Sequence, residues 1–183
     1  MKILCPSSLI LFFLFTGDAF AEVMDAGAGG FTTVNKVTID ASREDVWSAA
    51  IEGIGVWWNA DHTISGDANR LSITPVPQGC FCEDFGAGAG VVHLMVTMVN
   101  PGVVIRLTGG LGPLGLMGVN GNMTWEFEDL EGGTSVNFSY AVGGYHPQGL
   151  DTMAEPVDYV LGEALARLKA HIEAGEPEDD ELG

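Results

Sequence analysis

Positive charge is scarce in this chain: seven Lys and Arg stand against 25 Asp and Glu, giving a net charge of -18 over 183 residues. With no surplus of cations to neutralise phosphates, nucleic acid and anionic membrane surfaces are excluded as partners. Cysteine is scarcer still, at three residues, and none has the C-x-x-C spacing of zinc or dithiol redox sites. The four histidines, His62, His93, His146 and His171, form no H-x-H, H-x-x-x-H or H-E-x-x-H, so no local metal motif exists and no metal or cofactor is called for. G-x-S-x-G is absent, and no histidine stands beside an activated nucleophile. Nor is there an apolar run of the roughly 20 residues needed to cross a bilayer.

What is present begins with a short apolar leader. Met1-Lys2 precedes the run Ile3 to Phe15, interrupted by Pro6-Ser7-Ser8, and Ala19-Phe20-Ala21 has the small-x-small form of a signal peptidase site. Residues 1–21 therefore read as a cleaved export signal, which implies a periplasmic or secreted protein with no stable membrane insertion after cleavage. Cys5 lies too far inside the leader to be a lipid-attachment residue. The rest is the size of one domain. Residues 22–30, rich in Gly and Ala without periodicity, are expected to be a flexible lead-in, and the acidic end, residues 174–183, a disordered tail.

Between these ends the pattern alternates in character. β-Branched residues from Thr33 to Asp40 predict a strand, and Ser42 with Asp45 makes a capping-box-like start for a helix running to about Glu52. Gly53 and Gly55 then stop it before Val56-Trp57-Trp58. Six further strands are expected near residues 70–74, 80–85, 91–99, 103–108, 122–128 and 134–142. In the last two, Met123, Trp125 and Phe127, and Val136, Phe138, Tyr140 and Val142, occupy one face each. Met153, Val157, Val160, Leu161, Ala164, Leu165, Leu168 and Ile172 form the stripe of a final helix, with Asp151 or Thr152 as its cap and Pro156 in its first turns.

Ser42-Arg43-Glu44-Asp45-Val46-Trp47, Gly55-Val56-Trp57-Trp58, Gly79-Cys80-Phe81-Cys82-Glu83, the run Asn100 to Leu107, Trp125-Glu126-Phe127 and Gly132-Gly133-Thr134 followed by the final helix give the chain a resemblance. It resembles the SRPBCC superfamily of START-like helix-grip proteins, in the polyketide-cyclase-like and heat-shock-ATPase-activator-like branch, over about Phe31 to Glu173. The resemblance implies an α+β fold: a curved antiparallel sheet of about seven strands wrapped around the C-terminal helix, with a hydrophobic cavity between them. It also implies ligands such as lipids, sterols, polyketides or hormones, and in a minority of members cyclase-type chemistry. An export signal and strong acidity set this chain apart from intracellular co-chaperones.

Several residues carry possible chemistry. Cys80 and Cys82, the two thiols left after cleavage, project to one face of a strand at about 6.5 to 7 Å between Cα atoms, at or beyond disulfide range. They are a small apolar packing pair, a labile disulfide, or a metal or redox site. Glu83 shares parity with Phe81 and Phe85, so it is expected to be buried, with Arg106 as counter-ion, or turned out by a bulge, or active as a catalytic acid. His93 and His146 are further candidates for meeting a ligand, and His171 suits a helix C-terminus. Gly110-Leu111-Gly112-Pro113-Leu114-Gly115 matches G-x-G-x-x-G but leads into another glycine turn, not a helix, so it reads as a loop or short helical turn covering the cavity.

Three functions follow. The first is an exported binding protein holding a small lipid- or polyketide-like molecule, with Trp57, Trp58, Phe81, Met123, Trp125, Tyr140 and Leu161 as apolar wall and Glu83, Arg106, Tyr145 or His146 orienting a polar end. The second is a cyclase or dehydratase acting on a carbonyl-containing substrate, with Glu83 or a histidine as acid or base. The third is an acidic interaction module with a filled core.

Overall fold

A computed structural model describes residues 20–174. The chain forms β1 (Phe20–Gly27), β2 (Gly30–Ile39), α1 (Arg43–Glu52), α2 (Ile54–Trp57), β3 (Leu71–Ile73), β4 (Cys80–Gly86), β5 (Ala89–Asn100), β6 (Val104–Gly109), β7 (Gly118–Leu130), β8 (Gly133–Tyr145) and α3 (Asp151–Glu173). The strands make one antiparallel sheet in the order β1-β2-β8-β7-β6-β5-β4-β3. Alternation dictates its two faces: along β7, Gly121, Met123, Trp125 and Phe127 are buried while Asn122, Glu126 and Glu128 are exposed. This is the α+β helix-grip arrangement, with eight strands in the sheet.

The eighth strand is β1, where a flexible lead-in was expected for residues 22–30. Val23 pairs with Thr33, Ala26 with Phe31 and Gly27 with Gly30, and the Leu150 N–H donates to the Ala28 carbonyl at the turn. Gly and Ala give no side-chain pattern, yet an edge strand needs only a backbone neighbour, so tertiary pairing overrides the weak local signal. β1 begins at Phe20, just before the expected cleavage point after Ala21. The rest of the expected signal, residues 1–19, and the expected acidic tail beyond Ala174 lie outside the described residues.

Ser42 caps α1, its hydroxyl accepting the Asp45 N–H at 3.2 Å, as the spacing predicts. For α3 the cap is Leu150 and no side chain serves; Thr152 instead donates its hydroxyl back to the Gly149 carbonyl. Pro156 sits inside α3, where it removes one backbone donor.

α3 lies along β2 and is held there in two ways. Leu161, Ala164, Leu165 and Leu168 are buried, each leucine contributing about 1.5–3 kcal/mol of apolar burial. Polar tethers fix the direction: Asn35 Nδ2 donates to Asp158 Oδ1 at 3.0 Å, Lys169 Nζ to the Thr38 carbonyl at 2.6 Å, and the Asp40 N–H to Glu173 Oε1 at 3.0 Å. In the first half of α3, Ala154 is buried while Met153, Val157 and Val160 are half-buried against the core. No described helix is long and apolar enough to cross a membrane.

Candidate functional site

Seven expected wall residues meet in the interior. Trp57, Trp58, Phe81, Met123, Trp125, Tyr140 and Leu161 are all buried, drawn from α2 and the Trp58 that caps it, β4, β7, β8 and α3. The rings form a chain of contacts: Trp58 to Phe81 at 5.4 Å, Trp57 to Trp58 at 5.6 Å and to Trp125 at 6.2 Å, with Trp125 stacked on Phe138 at 4.2 Å. The aromatic wall therefore packs largely against itself between sheet and helices.

Tyr140 closes one end of this interior. Its hydroxyl donates to the Gly109 carbonyl at 2.8 Å and accepts the Leu111 N–H at 3.1 Å. Burial pushes the phenol up to about 12, against the opposing effect of the Leu111 hydrogen bond. These bonds fix the glycine-rich segment, which forms a short 3-10 turn, Gly112–Leu116, with Leu114 buried as a plug. Gly121 makes the arrangement possible, because a Cβ there would overlap the Tyr140 ring.

The concave face also carries polar groups in places that alternation reserves for apolar ones. Thr33 and Asn35 are buried on β2 between Phe31 and Val37. Thr33 Oγ1, Asn35 Oδ1 and Trp125 Nε1 have no hydrogen-bond partner among the described residues. The register puts them on neighbouring positions of one face: Asn35 pairs with Phe138 and Phe138 with Trp125, while Thr33 is the next inward residue of β2. Beside Asn35, burial raises the Asp158 carboxyl above its usual range, a shift that the Asn35 amide partly opposes. An unpaired buried polar atom costs about 1–3 kcal/mol, so three on one face are a large departure from a purely structural core. The signal was present in the sequence as polar residues at inward parity on β2, and the expected site omitted them.

Glu83 and His93 form a second buried cluster, exposed by 1% and 5%. His93 reaches it through a β-bulge: Phe81 pairs with Leu94 but Cys82 with Val92, so His93 is the extra residue and turns inward with Leu94. Its Nε2 lies 3.0 Å from Glu83 Oε2, and because an ionised carboxylate only accepts, the imidazole donates. Oε2 also accepts the Ile64 N–H at 3.0 Å and Oε1 the Ser65 N–H at 2.6 Å. Burial alone would raise the Glu83 carboxyl; the hydrogen bonds from Ser65, Ile64 and His93 outweigh it and hold the group at about 2. Glu83 is thus an ionised staple between β4 and the Ile64-Ser65 loop, and an acid of that strength holds no proton to donate at neutral pH.

Arg106 is exposed, on the opposite face from Ile105 and Leu107, so the expected counter-ion of Glu83 is replaced by His93 and two backbone N–H groups. Strand parity decides this. Tyr145 is 73% exposed at the end of β8 and lines no interior. His146 is half-buried and its Nδ1 donates to the Gly149 carbonyl at 3.1 Å, fixing the turn before α3. A further polar group, unexpected from sequence, lies on α3, where Glu163 accepts from Asn59 Nδ2 and meets His62 Nε2, both at 2.8 Å. No group of three or more His, Cys, Asp or Glu suited to a metal occurs among the described residues.

Cys80 and Cys82 are joined by a disulfide with Cα atoms 5.4 Å apart. The spacing is shorter than the roughly 6.5–7 Å of a fully extended strand, and the register break at the His93 bulge falls at the same place, between Phe81 and Cys82. Both residues are half-buried on the outer face. Cys82 borders a shallow outer groove of about 370 Å³ with Ser72, Glu83, Asp84 and the Gly88–Val92 segment. Another depression, of about 330 Å³, lies among Ile64, Ser65, Arg70 and Phe85.

Residues 31–173 match the family model described as polyketide cyclase / dehydrase and lipid transport. A comparison with curated proteins finds no match. Among solved structures, the chain is similar to the Aha1 dimer from Colwellia psychrerythraea, at 23% identity and a TM-score of 0.56, over 80% of this chain and 98% of that one. It is also similar to a protein from Rhizobium leguminosarum, at 19% and 0.59 over 86% and 99%, and to CalU16 from Micromonospora echinospora, at 15% and 0.53 over 90% and 88%. These likenesses concern the fold. With most of its length matched and its sheet gripping a C-terminal helix, the chain belongs to the polyketide cyclase / dehydrase and lipid transport family of the START-like superfamily.

Proposed function

We propose that this protein binds a small, mainly apolar molecule of lipid or polyketide type on the concave face of its sheet under α3, and that it does so outside the cytoplasm. The observation that carries the reading is the row of unpartnered buried atoms, Thr33 Oγ1, Asn35 Oδ1 and Trp125 Nε1. They supply an acceptor, a donor and a hydroxyl able to do both, which suits a ligand bearing a carbonyl or hydroxyl on an apolar body. The rings of Trp57, Trp125 and Phe138 offer the apolar contact. Entry is by displacement of the half-buried first part of α3, since the aromatic side chains otherwise pack on one another. Family membership supports a hydrophobic ligand, and the Met1 to Ala21 leader supports export.

Native mass spectrometry of the protein purified from its own export compartment, followed by organic extraction, tests this. A discrete extra mass that extracts into solvent and is lost in Asn35→Leu is the expected result. A bare chain whose melting temperature no lipid or polyketide-like compound raises would overturn it, because any ligand preferring the folded state stabilises that state.

A further inference from the structure

We propose that Cys80–Cys82 is a thiol–disulfide exchange site that oxidises a dithiol on a partner polypeptide. The bond joins residues only two apart within one hydrogen-bonded strand, so it ties together positions that the β4–β5 and β3–β4 ladders already hold. A ring closed across a single residue removes little chain entropy, so fold stability gives small reason for it. Accessibility points to chemistry instead. Both cysteines are half-buried on the outer face, and Cys82 opens onto the shallow groove beside the Gly86–Gly90 hairpin. A side chain at Gly86 or Gly88 would point into open space, so nothing bulky stands over that end of the groove. Val92 and Met95, the cross-strand neighbours of Cys82 and Cys80, are 56% and 47% exposed and give an apolar seat for a polypeptide. Disulfides that a thiolate can reach are the labile and catalytic ones, and this one is open to the groove at Cys82.

In the exchange, a thiolate of the partner attacks Sγ of Cys82, the cysteine that borders the groove. The Cys80–Cys82 bond breaks, and its electron pair passes to Cys80 Sγ, which takes a proton from solvent. The partner's second thiolate then attacks the partner sulfur of the mixed disulfide and forms the partner's own disulfide. Cys82 leaves as a thiolate and is protonated in turn. Two electrons and two protons have moved from the dithiol to the cysteine pair, one disulfide delivered per chain.

The test mixes the air-oxidised full chain with a synthetic peptide carrying two reduced cysteines, and separately with dithiothreitol, under native conditions, and follows both products by mass spectrometry. The expected result is one peptide disulfide formed and two hydrogens gained per chain, with no change in the tryptophan fluorescence that reports the fold. The peptide should react at least tenfold faster than dithiothreitol at equal thiolate concentration. Cys82→Ser should abolish peptide oxidation, while the Cys80→Ser, Cys82→Ser double variant melts within a few degrees of wild type. A bond that survives a hundredfold excess of peptide dithiol in the folded chain, and reacts only after denaturation, overturns the proposal. So do two free thiols that fail to pair in oxidised glutathione, and a peptide that reacts no faster than dithiothreitol overturns the polypeptide partner.

Discussion

Replacing Glu83 with Gln removes one charge and leaves the side-chain volume unchanged, so it isolates the staple between β4 and the Ile64-Ser65 loop. The folded carboxyl is held at about 2 against an ordinary 4.5, a difference worth about 3 kcal/mol at neutral pH. Because the folded value is the depressed one, this stability is fully present above the unfolded value near 4.5 and disappears as pH falls through about 2. Two-state linkage with these values removes about 2 kcal/mol of it by pH 3. Urea unfolding followed by tryptophan fluorescence suits the measurement, since Trp58 packs on Phe81 and Phe81 on His93. At pH 7, Glu83→Gln should unfold about 3 kcal/mol more easily, equivalent to about 6–12 °C in Tm for a chain of this size. At pH 3 the gap should shrink to about 1 kcal/mol; taking wild type minus variant cancels the acid response of the other carboxylates. A gap below about 0.5 kcal/mol at pH 7, or one that stays constant to pH 3, would refute the staple.

Thr33→Val keeps the shape and deletes an unpartnered hydroxyl, so the ligand-free protein should become about 1 kcal/mol more stable while holding its extracted ligand less tightly; a destabilised variant in thermal melts would mean that the hydroxyl has a structural partner. Gly121→Ala places a methyl against the Tyr140 ring and should cost about 1–3 kcal/mol, with altered near-ultraviolet circular dichroism; an unchanged melt would show that the ring has room to move. Leu168→Ala, on the buried face of α3, should lower unfolding free energy by about 2–5 kcal/mol in urea titrations, whereas a loss under about 1 kcal/mol would place α3 outside the cooperative core.

Elements with strong periodicity are legible in the sequence. The stripe from Met153 to Ile172 and the alternation in β7 and β8 depend only on side-chain order, and both helix and strands appear where that order predicts. Burial of Trp125 on β7 and of Glu83 on β4 follows from the same parity. β1 is illegible in the sequence because its Gly- and Ala-rich stretch carries no alternation, and what places it is its pairing with β2. Arg106 was misplaced as counter-ion because strand parity turns it outward, away from the face to which Glu83 belongs.

The sequence by itself therefore determined the faces of its strands and the stripe of its last helix, which are set by local period, and its motifs carried the resemblance that implies the class of fold. Tertiary structure decided who partners whom. One inserted residue in β5 turns His93 inward to meet Glu83, and its register break coincides with the short Cys80–Cys82 spacing. The pairing of β2 with β8, and of β8 with β7, aligns Thr33, Asn35 and Trp125 on one face. Bulges and strand order are contacts between segments far apart in the chain, and no local pattern encodes them.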